Sequence, residues 1–68
     1  MTDSLALRKA VNKSGLKYIK IAGAMGISAY TLQKKIENET EFKASEIVKL
    51  SEMLSLSDTE RSSIFFAK

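Results

Sequence analysis

The chain contains no cysteine and no histidine, and these two absences exclude most metal and catalytic chemistry. Without cysteine there is no disulfide and no thiolate ligand, which suits a reducing cytoplasm. Without histidine there is no imidazole for a zinc site, a serine–histidine pair or acid–base catalysis. A glycine-rich phosphate loop and a convergent pair of acidic residues are missing as well. We therefore expect a protein that is not an enzyme and uses no cofactor, metal ion or small-molecule substrate.

Proline is also absent and glycine occurs only three times, which favours helices joined by brief turns. No alternation of apolar and polar residues lasts long enough to indicate a strand. Long hydrophobic runs are missing too, because the longest apolar stretch, residues 21–27, is too short to cross a bilayer. Residues 1–5 lack the basic and apolar pattern of a secretory signal. We expect a soluble, intracellular protein that does not contact a membrane.

What the chain does contain is an ordinary globular composition and an uneven distribution of charge. Its 68 residues, 44% of them hydrophobic and 28% charged, suffice for one domain spanning residues 1–68. Residues 1–38 carry seven basic and two acidic residues, whereas residues 39–68 carry four basic and six acidic ones. A basic surface on one side suits a protein that binds a polyanion. The alternative is a lysine-rich face that is merely solvated.

The spacing of apolar residues predicts five helices around one core. Leu7, Ala10 and Val11 form a stripe that predicts a first helix over residues 3–14, which Gly15 ends. Two more helices are predicted over residues 17–25 and 28–37, followed by a polar loop over residues 38–42. A fourth helix over residues 44–54 is expected to bury Ala44, Ile47, Val48, Leu50 and Leu54. Ser57 and Glu60 then form a capping box that opens a last helix toward Phe66.

Residues 18–35, with the sequence YIKIAGAMGISAYTLQKK, carry the pattern of two helices that cross steeply after a short turn. Ala22 is the small residue needed where the second helix packs across the first, and Gly26 tolerates the positive φ of the turn. Ile27 plugs the core, Ser28 caps the next helix, and Leu32 follows one turn later on its buried face. The apolar set before the turn is completed by Ile21 and Met25. The alternative is an unrelated helical hairpin that only packs.

This pattern, Ile21-Ala22-x-x-Met25-Gly26-Ile27-Ser28-x-x-x-Leu32, resembles the helix-turn-helix of the phage Cro and CI repressors, the XRE family. The resemblance extends over nearly the whole chain, including residues 41–47, and is greatest to the short Cro-like regulators of phages of Gram-positive bacteria. It implies an all-α, five-helix lambda-repressor-like fold and a transcriptional regulator in the cytoplasm of a bacterial host. The chain departs from the family at Lys35, where an aliphatic residue is usual and Ile36 takes over.

The resemblance also implies which residues meet double-stranded operator DNA. The amino-terminal part of the helix over residues 28–37 would enter the major groove. The base-reading residues carried over from the family are Ser28, Ala29, Tyr30, Gln33 and Lys34. The residues expected to bind phosphates are Lys17, Tyr18 and Lys20 at the start of the second helix, and Asn38, Thr40 and Lys43 near the loop. Any of these polar residues could instead be a solvated surface residue, and for Glu37 we prefer that interpretation.

Members of the family read two half-sites as dimers, so a homodimer is implied, at least on DNA. Ile64, Phe65 and Phe66 form an apolar cluster near the carboxyl end. One of the two candidate dimer contacts, Phe65 and Phe66, is expected to pack on the core, and the other, or Met53, to form the twofold contact. The alternative is that both rings belong to the core of the monomer.

Two other functions stay open. One is a protein-interaction module, such as an antirepressor or antitoxin. The other, a small hydrolase using Ser14 and Lys17, is disfavoured by the missing catalytic residue types.

Overall fold

The computed structural model describes residues 1–67 of the chain, and these form five α-helices with no β-strand among them. The all-α, five-helix prediction is confirmed. Within the described residues, none of the helices combines the length and apolar character that crossing a bilayer requires. The helices are α1 (Ser4–Ser14), α2 (Tyr18–Met25), α3 (Ala29–Ile36), α4 (Ala44–Met53) and α5 (Asp58–Phe65).

Local sequence signals account for where the helices begin and end. Asp3 lies just before α1 and its carboxylate accepts a hydrogen bond from the N–H of Ala6, so the predicted first residue of the helix is its N-cap. Gly15 ends α1 with a φ of 75°, in the left-handed region. Ser57 and Glu60 exchange hydrogen bonds at the start of α5, which confirms the predicted capping box.

The core lies between all five helices. α2 contacts α3 and α4, while α1 contacts α3 and α5. Ile27 and Met25 are partly buried and pack against this core, as the motif predicted. Its buried apolar residues are Leu7, Val11, Ile21, Ala22, Leu32, Ile36, Leu50, Leu54, Ile64 and Phe65.

Two predictions about the buried face of α4 are wrong. Val48 is 51% exposed and Ala44 is exposed too. The buried stripe of α4 runs instead through Leu50 and Ser51, with Ile47 partly buried against the core. Val48 lies about 100° around the helix from Ile47, beyond the edge of that stripe. Ala44 has the right spacing, but it is the first residue of the helix, where the core no longer covers it.

The two phenylalanines that we considered as dimer contacts lie in different environments. Phe65 is 4% exposed, and its ring meets that of Phe42 edge to face, with the centroids 5.4 Å apart. Phe66 is 61% exposed. Phe65 therefore belongs to the core of the monomer, and only Phe66 remains available at the surface.

Candidate nucleic-acid interface

The turn between α2 and α3 is built around Gly26. Its φ of 73° lies in the left-handed region, as the motif predicted, and the N–H of Ile27 then donates to the carbonyl of Ala22 at 3.0 Å. A Cβ added to Gly26 would meet no atom within 4 Å. Glycine is therefore required here by backbone conformation rather than by space.

One face of α3 is held firmly by the rest of the domain. The hydroxyl oxygen of Ser28 accepts a hydrogen bond from the N–H of Thr31 at 3.0 Å, which caps the helix as predicted. Leu32 and Ile36 are at most 1% exposed, and Lys35 between them is 8% exposed. This anchoring fixes which side chains of α3 point away from the core.

The outward face of α3 presents the residues that we predicted to read bases. Tyr30 is 71% exposed, and Gln33 and Ser28 are exposed as well. Ala29 and Lys34 are partly buried. The ammonium group of Lys34 lies 5.5 Å from the centroid of the Tyr30 ring, within the range of a cation–π contact. That contact holds the Lys34 side chain across the ring of Tyr30 on the outer side of the helix.

These side chains offer the chemistry that base edges require. The amide of Gln33 can donate and accept at once, as a bidentate pair with adenine needs. The ammonium of Lys34 has only donors, which match the two acceptors of guanine or a phosphate oxygen. Ala29 and the ring of Tyr30 offer apolar surface that a thymine methyl can contact.

The start of α2 brings together the first group of predicted phosphate ligands. Lys17 and Lys20 are exposed, and Tyr18 is partly buried with its ring against the core. Lys17 is the N-cap but its side chain caps no backbone N–H, as expected of a lysine. The amino end of α2 therefore combines two exposed lysines with the positive end of a helix dipole.

The second group of predicted phosphate ligands lies after α3, and the structure separates its members. Thr40 and Lys43 are exposed. Asn38 has a left-handed φ of 65°, and its side-chain N–H groups donate to the carbonyl of Thr2 at 2.7 Å and to the hydroxyl of Ser4 at 3.2 Å. Its side-chain oxygen also accepts from the N–H of Thr2. Asn38 thus ties the end of α3 to the amino-terminal segment.

Glu37, which we expected to be a solvated residue, has a specific partner. Its carboxylate lies 3.0 Å from the guanidinium of Arg8, so the pair joins the end of α3 to α1. Both side chains remain substantially exposed, and an exposed pair of this kind contributes about 0–1 kcal/mol. The pair also removes one free positive charge and one free negative charge from this surface.

The sequence interpretation missed what Lys35 does. Its ammonium group lies 3.1 Å from the carboxylate of Glu46 at the start of α4 and donates to the backbone carbonyl of Glu41 at 3.0 Å. Both side chains of the ion pair are about one-tenth exposed. A signal was present, because Lys35 lies three residues after Leu32, on the face that helical spacing turns toward the core. Its partner in α4 could not be identified without the fold.

Comparison with known families assigns the chain to one of them. The family model described as DUF739, protein of unknown function, matches residues 3–68, and the chain belongs to that family. Comparison with curated proteins gave no match, and neither did comparison with solved structures.

Proposed function

We propose that this member of the DUF739 family is a sequence-specific, DNA-binding transcriptional regulator of the Cro/CI kind. It acts in the cytoplasm of a bacterial host and places α3 in the major groove of an operator. One observation carries this proposal above the others. The buried face of α3 is anchored by Leu32 and Ile36, while Tyr30, Gln33 and Lys34 lie together on the outer side. A helix-turn-helix places the exposed side of such a helix in the major groove, with its amino-terminal residues against the base edges.

Each outward residue has a definite role in this proposal. Gln33 pairs with adenine, and Lys34 donates to guanine or to a neighbouring phosphate. Tyr30 and Ala29 contact thymine methyl groups, and Ser28 contributes a hydroxyl at the amino end of α3. A good bidentate contact contributes about 1–3 kcal/mol of discrimination between bases. Because Tyr30 already restricts the Lys34 side chain, we expect Lys34 to lose less conformational entropy when it binds DNA.

The phosphate contacts flank the recognition helix on both sides. Lys17, Tyr18 and Lys20 bind the backbone at the amino end of α2. Thr40 and Lys43 bind the backbone beyond the carboxyl end of α3. We leave Asn38 out of the interface, because both N–H groups of its side chain already donate within the protein.

A homodimer on the operator follows from the same proposal, because two half-sites about 34 Å apart need two recognition helices. The surface best suited to the twofold contact is the groove between α4 and α5, which has a volume of about 430 Å³. We name it the Phe66 surface, and its lining includes Phe42, Ala44, Ile47, Val48, Arg61 and Phe66. Exposed aromatic and aliphatic groups gathered in this way favour contact with another protein.

The same apolar groove favours a second candidate function, a protein-interaction module such as an antirepressor or antitoxin. The two functions differ in what they ask of α3. An interaction module that uses the Phe66 surface should tolerate acidic substitutions at Tyr30 and Lys34, and a DNA-binding regulator should not.

The decisive experiment is a selection of binding sites from randomised duplex DNA at about 150 mM salt, followed by sequencing. We expect enrichment of an inverted repeat whose half-sites lie one helical turn apart. Retention of DNA without an enriched sequence would contradict specific recognition. No retention at all would favour the interaction module.

A parallel selection with Gln33→Ala tests whether α3 lies in the groove as proposed. This variant should lose its preference at one base pair of each half-site and keep the preferences at the others. Unchanged preferences at every position would contradict the assigned orientation of α3 even if the protein binds DNA.

A further inference from the structure

Two neighbouring lysines of α3 have opposite environments. Lys34 lies on the outer side against Tyr30, whereas Lys35 is 8% exposed and extends toward α4. The Lys35 ammonium reaches two groups outside α3, the carboxylate of Glu46 at 3.1 Å and the carbonyl of Glu41 at 3.0 Å. One cation therefore joins α3 to the loop that follows it and to the first turn of α4.

Glu46 in turn connects Lys35 to the backbone of Lys43. Its carboxylate accepts a hydrogen bond from the backbone N–H of Lys43 at 2.8 Å, so the same group that pairs with Lys35 also fixes the N-cap of α4. Burial raises the pKa of Glu46, but the hydrogen bonds from Lys43 and Lys35 and their positive charges outweigh it and hold that pKa below its ordinary value. Glu46 thus stays ionised at neutral pH and keeps both contacts.

The segment fixed by this pair, residues 39–43, carries two of the proposed phosphate ligands, Thr40 and Lys43, of which only Lys43 is a cation. The N–H of Glu39 donates to the carbonyl of Lys34, and the ring of Phe42 packs against Phe65. Within the same segment, Lys35 holds the backbone carbonyl of Glu41, and Glu46 holds the backbone N–H of Lys43. The exposed side chain of Lys43 therefore projects from a backbone whose position depends on the ion pair.

Stability alone does not account for a buried ion pair in this place. Removing two charges from water costs several kcal/mol, and replacing such a pair with apolar residues of similar size is often neutral or stabilising. An aliphatic residue at position 35 would satisfy the core equally well. We propose that Lys35 and Glu46 are positioning residues, which hold Lys43 where it meets the DNA backbone next to the base-reading face of α3. This inference rests on the proposed function and adds two residues that do not touch DNA.

A charge-neutral double variant, Lys35→Met with Glu46→Gln, tests this inference. It removes one positive and one negative charge, keeps the side-chain volumes, and leaves an amide oxygen to accept from the N–H of Lys43. We expect the protein to remain folded, but the slope of log affinity against log salt to become shallower by about one, as when one phosphate contact is lost. A pair that serves only the fold would leave this slope unchanged in a folded variant.

Combining this double variant with Lys43→Met identifies the residue through which the ion pair acts. In the native background, Lys43→Met should by itself make the salt slope shallower by about one. In the double-variant background it should cause no further change, because the contact is already lost. Two independent losses, or no effect of Lys43→Met in the native background, would overturn the inference.

Glu46→Ala provides an independent second test, because it removes the acceptor of both the Lys35 contact and the Lys43 contact. It raises the net charge by one, so charge alone predicts an unchanged or steeper salt slope, whereas loss of positioning predicts a shallower one. Either result decides the question. If the native protein bound no DNA, the proposed function would be contradicted. If the native protein bound DNA and the variants kept its full salt slope, only the positioning role would be contradicted.

Discussion

Residues 17–43 and residues 44–66 contribute to one core, yet they leave different side chains at the surface. The front region, residues 17–43, carries five basic and three acidic residues and exposes Lys17, Lys20 and Lys43. The back region, residues 44–66, carries two basic and four acidic residues and exposes Val48 and Phe66 along an apolar groove. In about 0.1 M salt, charges attract one another over about 10 Å, whereas apolar surfaces attract one another only on contact.

The two regions therefore suit two different kinds of binding partner. The front region suits a partner that is highly charged and approached from a distance, as a nucleic acid is. The back region suits a partner that buries apolar side chains, as a second copy of the chain does. Variants that alter one region and leave the other intact can therefore test the division, beginning with the variant of largest expected effect.

Phe65 and Phe66 are adjacent in sequence, and truncating them should have very different results. Phe65→Ala should destabilise the fold by about 3–5 kcal/mol, because it opens a cavity against Phe42 in a domain of modest stability. Phe66→Ala should change the free energy of unfolding by about 1 kcal/mol or less, since the ring is mostly exposed. Denaturant unfolding measures both values. Equal losses would contradict the separation of a core ring from a surface ring.

A charge reversal in each region tests the electrostatic side of the comparison. Lys34→Glu should lower affinity for the operator by about 100-fold or more, because it replaces a donor in the groove with a repelled carboxylate. The melting temperature should fall by only a few degrees, since only a cation–π contact of about 0.5–1 kcal/mol is lost.

Lys49→Glu is the matched control, with the same change of charge on an exposed residue of α4. It should weaken binding only through the overall field, and therefore far less than Lys34→Glu. A similar loss from both substitutions would mean that net charge, rather than the outer face of α3, governs DNA binding.

Two glycines only three residues apart in the front region should respond to substitution in opposite directions. Gly26→Val should destabilise the domain by more than about 1 kcal/mol, because a β-branched residue resists a φ of 73°. Gly23 lies inside α2 with open space around its Cβ position, so Gly23→Ala should stabilise by about 0.5–1 kcal/mol. Thermal unfolding distinguishes the two, and an unchanged melting temperature for Gly26→Val would contradict the strain assigned to the turn.

The positions of the helices were largely predictable because the signals that set them are local. Caps such as Ser28 and Ser57 act within one turn, and Gly26 determines its turn through its own φ. Helical spacing also indicated the outward direction of Tyr30 and Gln33.

The long-range contacts were not predictable, because they join residues far apart in sequence. Nothing near Asn38 indicates that its amide binds the backbone of Thr2, and nothing near Lys35 indicates Glu46 as its partner. The exposure of Val48 likewise depends on where α4 meets the other helices. Local signals thus determined the helices and the outward face of α3, and only the fold revealed what holds that face in position.

Glu46 and Glu60 lie in the first turns of the two helices of the back region, and acid should weaken the contribution of each. Burial raises the pKa of Glu46, but the contacts with Lys43 and Lys35 outweigh it and lower that pKa, while the N–H and hydroxyl of Ser57 lower the pKa of Glu60. A carboxyl group with a lowered pKa in the folded state stabilises the fold fully above its ordinary pKa of 4.5. That contribution is lost as the pH falls below 4.5 and through the lowered pKa of the folded state.

Glu46→Gln and Glu60→Gln should therefore each flatten the fall in stability below pH 4.5, because an amide does not titrate. Each substitution removes only one titrating group, so this is the smallest effect predicted. Urea unfolding at several pH values measures it. If Glu46→Gln left the acid dependence of stability unchanged, the ion pair that joins the front region to the back region would not stabilise the fold through its charge.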